Sequence, residues 1–240
     1  MSLATRDEAL RELMDDPGCD PERLAATLHR FAVVNRLVSG WGRVYRSALR
    51  PHLAGLGRPA RVLDLGCGGG DLVARLAGLA RADGLDVEWT GVDPDPRAHE
   101  VAARWAAPGI RFRAVDAAVL VAEGERFDAV VSNHVLHHLG AELPAFAAAS
   151  RALSTGPVLH SDIERGRLAY ALYTVGITPF AGGTFLRTDG LRSIRRSFRA
   201  EELAAAIAAG EVRDPADAPS PWRIDRPAPF RLLARSVGHA

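Results

Sequence analysis

Short apolar runs alternate with longer stretches of helical spacing along most of this chain. Val62, Leu63 and Leu65 form one run, and comparable runs recur near 86–92, 110–115, 127–132 and 156–161. Between them, over 70–81, 95–106 and 141–152, apolar residues return every three or four positions, the period of an amphipathic helix. Continuous apolar runs suit strands buried on both faces, and strands alternating with helices predict right-handed crossovers in a parallel, doubly wound α/β sheet. Ligands of such sheets lie beyond the carboxyl ends of the strands.

The flanks read differently. A short helix is expected over Asp7–Met14, and Asp15-Asp-Pro-Gly-Cys-Asp-Pro breaks it. Asp20-Pro21 is a helix start, followed by an apolar stripe of Leu24, Leu28, Phe31, Val34 and Leu37, and a third helix is predicted from about Trp41 to Leu53. Residues 1–57 thus read as a helical cap ahead of a 58–240 domain. Ordinary packing accounts for the stripe, and a roof over a pocket is the functional alternative. Within 163–200 an insert is expected, with a helix from Ile163 to Val175, a Thr178-Pro-Phe-Ala-Gly-Gly break and an arginine-rich stretch to Arg199. A helix over 201–209 ended by Gly210, then strands over 218–225 and 229–236, close the chain.

Composition narrows the function classes. With 240 residues, 48% hydrophobic, and a net charge of +1, a globular chain with a substantial core is expected, without the basic excess of a nucleic-acid binder. All 30 basic residues are arginine, which reads as genomic base composition. Cys19 and Cys67 cannot make a disulfide framework, no apolar run approaches spanning length, and the charged N-terminus lacks a signal core. A cytoplasmic protein away from membranes, monomeric or homodimeric, is the expectation.

The first strand runs into Asp64-Leu-Gly66-Cys67-Gly68-Gly-Gly-Asp71-Leu72, a turn that lets a ligand approach bare main chain at a helix start. Dinucleotide enzymes use a similar turn with a third glycine where Asp71 stands. A carboxylate there would repel a pyrophosphate and suit a cationic ligand. The second strand ends in Asp93-Pro94, an acid able to accept both hydroxyl protons of a ribose.

Val62-Leu-Asp-Leu-Gly-Cys-Gly-Gly-Gly-Asp71 with Gly91-Val-Asp93, then Ile110–Ala117 and Arg126–Leu139, resembles in order the class I methyltransferases that use S-adenosylmethionine, over about residues 55 to 162. Within them it is similar to small-molecule enzymes such as the O-methyltransferases of quinone biosynthesis. The resemblance implies a seven-stranded sheet with its last strand antiparallel and a cofactor site of Gly66, Cys67, Gly68, Leu72 and Asp93, with Pro94 against adenine, and Asp116 and Ala117 at its amino group. It also places Asn133 and His134 at the methionine part. By their chemistry Asp64 would meet the ammonium or bond the loop amides, Asp71 would stand beside the ammonium or cap the helix, and Arg43 would clamp the amino-acid carboxylate or lie solvated.

For chemistry, His134 is either the base that takes a phenol proton or a bystander. Asp162 would contact substrate, orient a histidine or cap a helix. His134, His137 and His138 invite a metal reading, which is set aside because no cysteine is near and the first sits at a strand end. Tyr170, Tyr173 and Phe180 suit an apolar or aromatic acceptor, and Arg192, Arg195 or Arg196 an anionic one. Methyl transfer to oxygen of a small phenolic acceptor is the favoured function. A nicotinamide-dependent oxidoreductase, or a module that binds the cofactor without turnover, are the competing classes.

Overall fold

The computed structural model describes residues 3–210 and 220–238. Strands β1 (Ala60–Leu65), β2 (Val87–Val92), β3 (Ile110–Arg113), β4 (Ala129–Asn133), β5 (Pro157–Ile163), β6 (Arg223–Asp225) and β7 (Arg231–Val237) form one sheet. Their order is β3-β2-β1-β4-β5-β7-β6. The first five are parallel, and β7 runs antiparallel between β5 and β6.

The helices are α1 (Pro21–Val38), α2 (Trp41–Val44), α3 (Arg50–Gly55), α4 (Asp71–Ala82), α5 (Pro96–Ala102), α6 (Ala117–Ala122), α7 (Leu143–Ala152), α8 (Arg167–Gly176), α9 (Leu186–Arg196) and α10 (Ala200–Ala208). Successive strand residues face opposite sides, so each strand feeds two cores. Val62, Trp89, Ala129 and Val131 pack with Trp41, Tyr45, Leu49 and α4 on one face. Leu63, Leu65, Val130 and Val158 pack with α7 and α10 on the other. No helix among the described residues is long and apolar enough to cross a membrane.

Several expectations are corrected. Asp7–Met14 is not helical. Two leucines cannot offset the cost of nucleating so short a helix, and the Asp189 carboxylate takes the Leu13 and Met14 amides instead, at 2.8 and 3.0 Å. The helix over Trp41–Leu53 is interrupted by a π turn at Tyr45–Leu49. Pro51 has no N–H for the carbonyl four residues back, which accounts for the widening. The helix over 95–106 divides into α5 and a 3-10 turn at Ala103–Trp105. β3 stops at Arg113, and α6 follows where no helix was expected. β5 continues to Ile163, because Arg231 pairs there, so α8 starts four residues later than predicted. The first residues of the strand expected over 218–225 lie outside the described residues.

Candidate functional site

The strand ends open into a cavity of about 690 Å³. Asp64, Gly66, Cys67, Gly68, Asp71, Asp93 and Pro94 line one end, contributed by β1, β2 and the loops after them. Gly66 has φ 70°, and a Cβ there would lie 2.6 Å from Val135. The turn therefore requires glycine and leaves bare backbone against the cavity.

This end is anionic. Asp64 is 2% exposed, and its Oδ1 has no hydrogen-bond partner. Burial, then Asp71 and Asp93, push its carboxyl well above the usual range. Asp71 accepts from Asn35 Nδ2 at 3.0 Å, and burial raises its pKa against that bond. Asp93 accepts from the Gly68 amide at 2.9 Å and the Asp95 amide at 3.0 Å, which fixes its carboxylate at the mouth of the glycine turn. Burial raises it too. Three acids with one oxygen unsatisfied make a cradle for a cation.

The other end is built by β4, β5 and β7. His137 donates its backbone N–H to Asp162 Oδ2 at 2.8 Å, and its Nδ1 lies 2.8 Å from Oδ1 of the same carboxylate. Its Nε2 lies 3.3 Å from Glu12 Oε1, without a directed hydrogen bond. Burial favours the neutral ring, but Asp162 and then Glu12 override it and push His137 up to about 9. Burial opposes the Asp162 charge, and His137 reverses that and holds the carboxyl below its usual range. His134 is different. Its Nε2 accepts from Arg231 Nη1 at 3.0 Å, and burial with the Arg231 charge keeps the ring neutral. The lone pair on His134 that would serve as a base is thereby occupied by the Arg231 hydrogen bond. The donor atoms of Glu12, His137 and His138 come within 4.8 Å of one another, as do those of His134, His137 and Asp162.

Glu12 arrives on an N-terminal strap. Arg6 donates to the carbonyls of His137, Leu139 and Arg196, and Arg192 donates to the Arg11 carbonyl. Arg165 reaches the Leu3 and Ala4 carbonyls, and Arg97 those of Met14 and Asp16. The α1 stripe of Leu24, Leu28, Phe31, Val34 and Leu37 lines the cavity, as do Tyr173 and Phe180. Gly190 makes room for Tyr173, since a Cβ there would meet its hydroxyl at 2.1 Å.

Gly66, Cys67, Gly68, Asp64, Asp71, Asp93, Pro94, Asn133, His134, Tyr173 and Phe180 are thus brought to one cavity, with Asp162 directly behind His137. Others are not. Arg43 donates to the Pro227 carbonyl at 2.9 Å, away from the lining. Asp116 caps α6, accepting from the Val119 amide at 3.0 Å, and lies outside the lining with Ala117. Leu72 is core, and Tyr170 does not line the cavity. Arg195 pairs with Asp7, Arg192 holds the strap, and Arg196 meets Asp15 at 3.3 Å. Asn35, Glu12 and Arg231 escaped the sequence reading. Only Arg231, a charge in a strand run that also holds Arg235, left a signal that could have found it.

A family model described as a methyltransferase domain matches residues 62–156. A ubiquinone biosynthesis O-methyltransferase of Methylobacterium sp. (strain 4-46) is 34% identical over 206 residues, 79% of this chain and 78% of that protein. The chain belongs to the class I S-adenosylmethionine-dependent methyltransferases. A second relative of the same description, from Brucella anthropi, is 32% identical over 158 residues, 64% of this chain and 60% of its own length. The plantazolicin methyltransferase BpumL, solved with S-adenosylhomocysteine, shares the fold, with TM-score 0.60 at 12% identity over 92% of this chain and 95% of its own. The residues of this methyltransferase fit the cofactor. The unsatisfied Asp64 oxygen suits an ammonium, and the backbone exposed at Gly66 allows close approach.

Proposed function

We propose that this methyltransferase methylates a hydroxyl of a small aromatic acceptor, with His137 as the base. Asp64, with Asp71 beside it, binds the ammonium of the cofactor, Asp93 its ribose hydroxyls, and Pro94 faces its adenine. S-adenosylmethionine, when bound, supplies a sulfonium methyl that a nucleophilic oxygen displaces in one step. The chain's own residues orient the acceptor and take its proton. Well-aligned reactants can gain about 7–11 kcal/mol from orientation alone.

The observation that carries this reading is the line Asp162–His137–Glu12 on the acceptor side of the cavity. Asp162 holds Nδ1 protonated, so neutral His137 carries its lone pair on Nε2, at the cavity wall beside Glu12. A base pushed up to about 9 nearly matches a phenol near pKa 10. Phe31, Tyr173, Phe180 and the apolar face of α1 suit a flat, apolar ring. The relatives named ubiquinone biosynthesis O-methyltransferases support oxygen as the acceptor atom.

The test is turnover of a catechol with the labelled cofactor, with the product's methylated atom identified by mass spectrometry and NMR. Methyl on oxygen, lost in His137→Gln, is expected. Methyl on carbon or nitrogen, or full turnover in His137→Gln, would overturn it.

A further inference from the structure

The charge placed beside this reaction is not explained by the reaction itself. Arg231 opens β7 opposite Ile163, and its side chain reaches back over β5 to the residues that end β4. Nη2 donates to Asn133 Oδ1 at 2.7 Å and Ser161 Oγ at 3.0 Å, and Nη1 to His134 Nε2 at 3.0 Å. All three acceptors are neutral. The residue is 3% exposed, lines the cavity, and leaves Nε without a partner.

The other buried arginines are compensated. Arg165 grips both oxygens of Glu202, and Arg196 pairs with Asp15. Arg231 has no carboxylate within ion-pair distance among the described residues; Asp162 attracts it from further off but is itself tied to His137. A buried charge without a partner is costly, and folds avoid it unless something else supplies the counter-charge. Burial also brings its pKa down to about 10.

Backbone strain gathers at the same place. Among the described residues, His134 (φ 63°) and Phe230 (φ 61°) are the two non-glycine positions with left-handed dihedrals. One accepts the Arg231 hydrogen bond, and the other precedes Arg231 in the chain; both line the cavity. Strain kept by non-glycine residues at a cavity wall marks positions held for function.

Resting on the acceptor reading above, we infer that Arg231 is an anion subsite, and that the natural acceptor carries a carboxylate on the ring that bears the methylated hydroxyl. The three hydrogen bonds hold the guanidinium in place and leave the Nε hydrogen and one on Nη1 as charge-assisted donors for a carboxylate. The cofactor also has a carboxylate. Position favours the acceptor, because Asp64 and Asp93 stand at β1 and β2, whereas Arg231 sits on β7, beyond β4 and β5 in the sheet.

The experiment compares 3,4-dihydroxybenzoate with 3,4-dihydroxybenzamide as acceptors, and benzoate with benzamide as ligands of the protein saturated with S-adenosylhomocysteine. In the native chain the carboxylate should lower KM and Kd by about ten- to a hundred-fold. In Arg231→Met both ratios should fall towards one, with Arg231→Lys keeping part of the preference. A native ratio near one overturns the subsite, and that comparison needs no variant to fold. Weaker S-adenosylhomocysteine binding in Arg231→Met, with the acceptor ratio unchanged, also overturns it and gives the guanidinium to the cofactor. If benzoate binds ahead of benzamide while neither catechol is methylated, the subsite stands and the phenolic reading falls.

Discussion

The Asp162 carboxylate holds His137 at two points, accepting its backbone amide on one oxygen and its Nδ1 proton on the other, each at 2.8 Å. The ring can therefore neither flip nor change tautomer without losing a buried bond. Its remaining nitrogen lies 3.3 Å from Glu12 Oε1, and the residue lines the cavity.

The first prediction concerns rate against pH. With His137 pushed up to about 9, only the deprotonated fraction serves as base, so kcat/KM should rise from pH 6.5 and level off near that value. His137→Gln should remove this rising limb and lower the plateau by about 10²–10⁴-fold. His134→Ala should keep the limb, since its ring faces Arg231. A limb lost with His134 instead would reverse the assignment.

Stability should move oppositely. The raised pKa of His137 means that the pair stabilises the fold fully below its unfolded value, about 6.5, and that this is lost as pH rises through about 9. The depressed carboxyl of Asp162 gives the acid side, with its contribution present above about 4 and lost as pH falls through its folded value. Asp162→Asn should cost about 3–5 kcal/mol near neutrality, measured by denaturant unfolding. An unchanged midpoint would dissolve the pair as a structural element.

Asp64→Asn should separate fold from binding. The buried carboxylate repels Asp71 and Asp93 without a partner, so its neutral replacement should raise the melting temperature of the free protein. Calorimetry should show S-adenosylhomocysteine binding weakened by more than about ten-fold, a loss of 1.4 kcal/mol or more. Asp93→Ala should weaken binding as much without the gain in stability, because two loop amides lose their acceptor. Undiminished affinity in either variant would remove its assignment.

Asp189→Asn tests the strap. The aspartate takes two backbone amides, of Leu13 and Met14, and losing charge-assisted bonds costs about 1–3 kcal/mol. Hydrogen exchange at those two amides should accelerate while the sheet amides stay protected, and Glu12 should lose its register against His137. Uniform exchange across the molecule would show that the strap is part of the global fold.

Much of the architecture was legible because its causes are local. Val62, Leu63 and Leu65 are buried on two faces and so form an unbroken apolar run. Gly66 must be glycine to clear Val135, and Asp93 must follow β2 to meet the Gly68 amide. What escaped depends on contacts distant in sequence. Arg195 looked like a pocket arginine until Asp7, 188 positions away, claimed it. Nothing near Glu12 announces that it will stand beside His137, because Asp189 and the arginines that place it lie elsewhere in the chain.

The strap is gripped mainly by its peptide groups. Arg97, Arg165 and Arg192 hold its carbonyls, and Asp189 holds two of its amides. Every residue type presents those same groups to its host. The backbone on either side of residue 12 is thus held through groups that any residue offers, while Arg6, Asp7, Asp15 and Glu12 add side-chain anchors of their own. Substitution at position 12 would then place a different functional group beside His137 on an unaltered track, a route by which lineages could diverge in the acceptor they accommodate while the sheet and the cofactor cradle stay as they are.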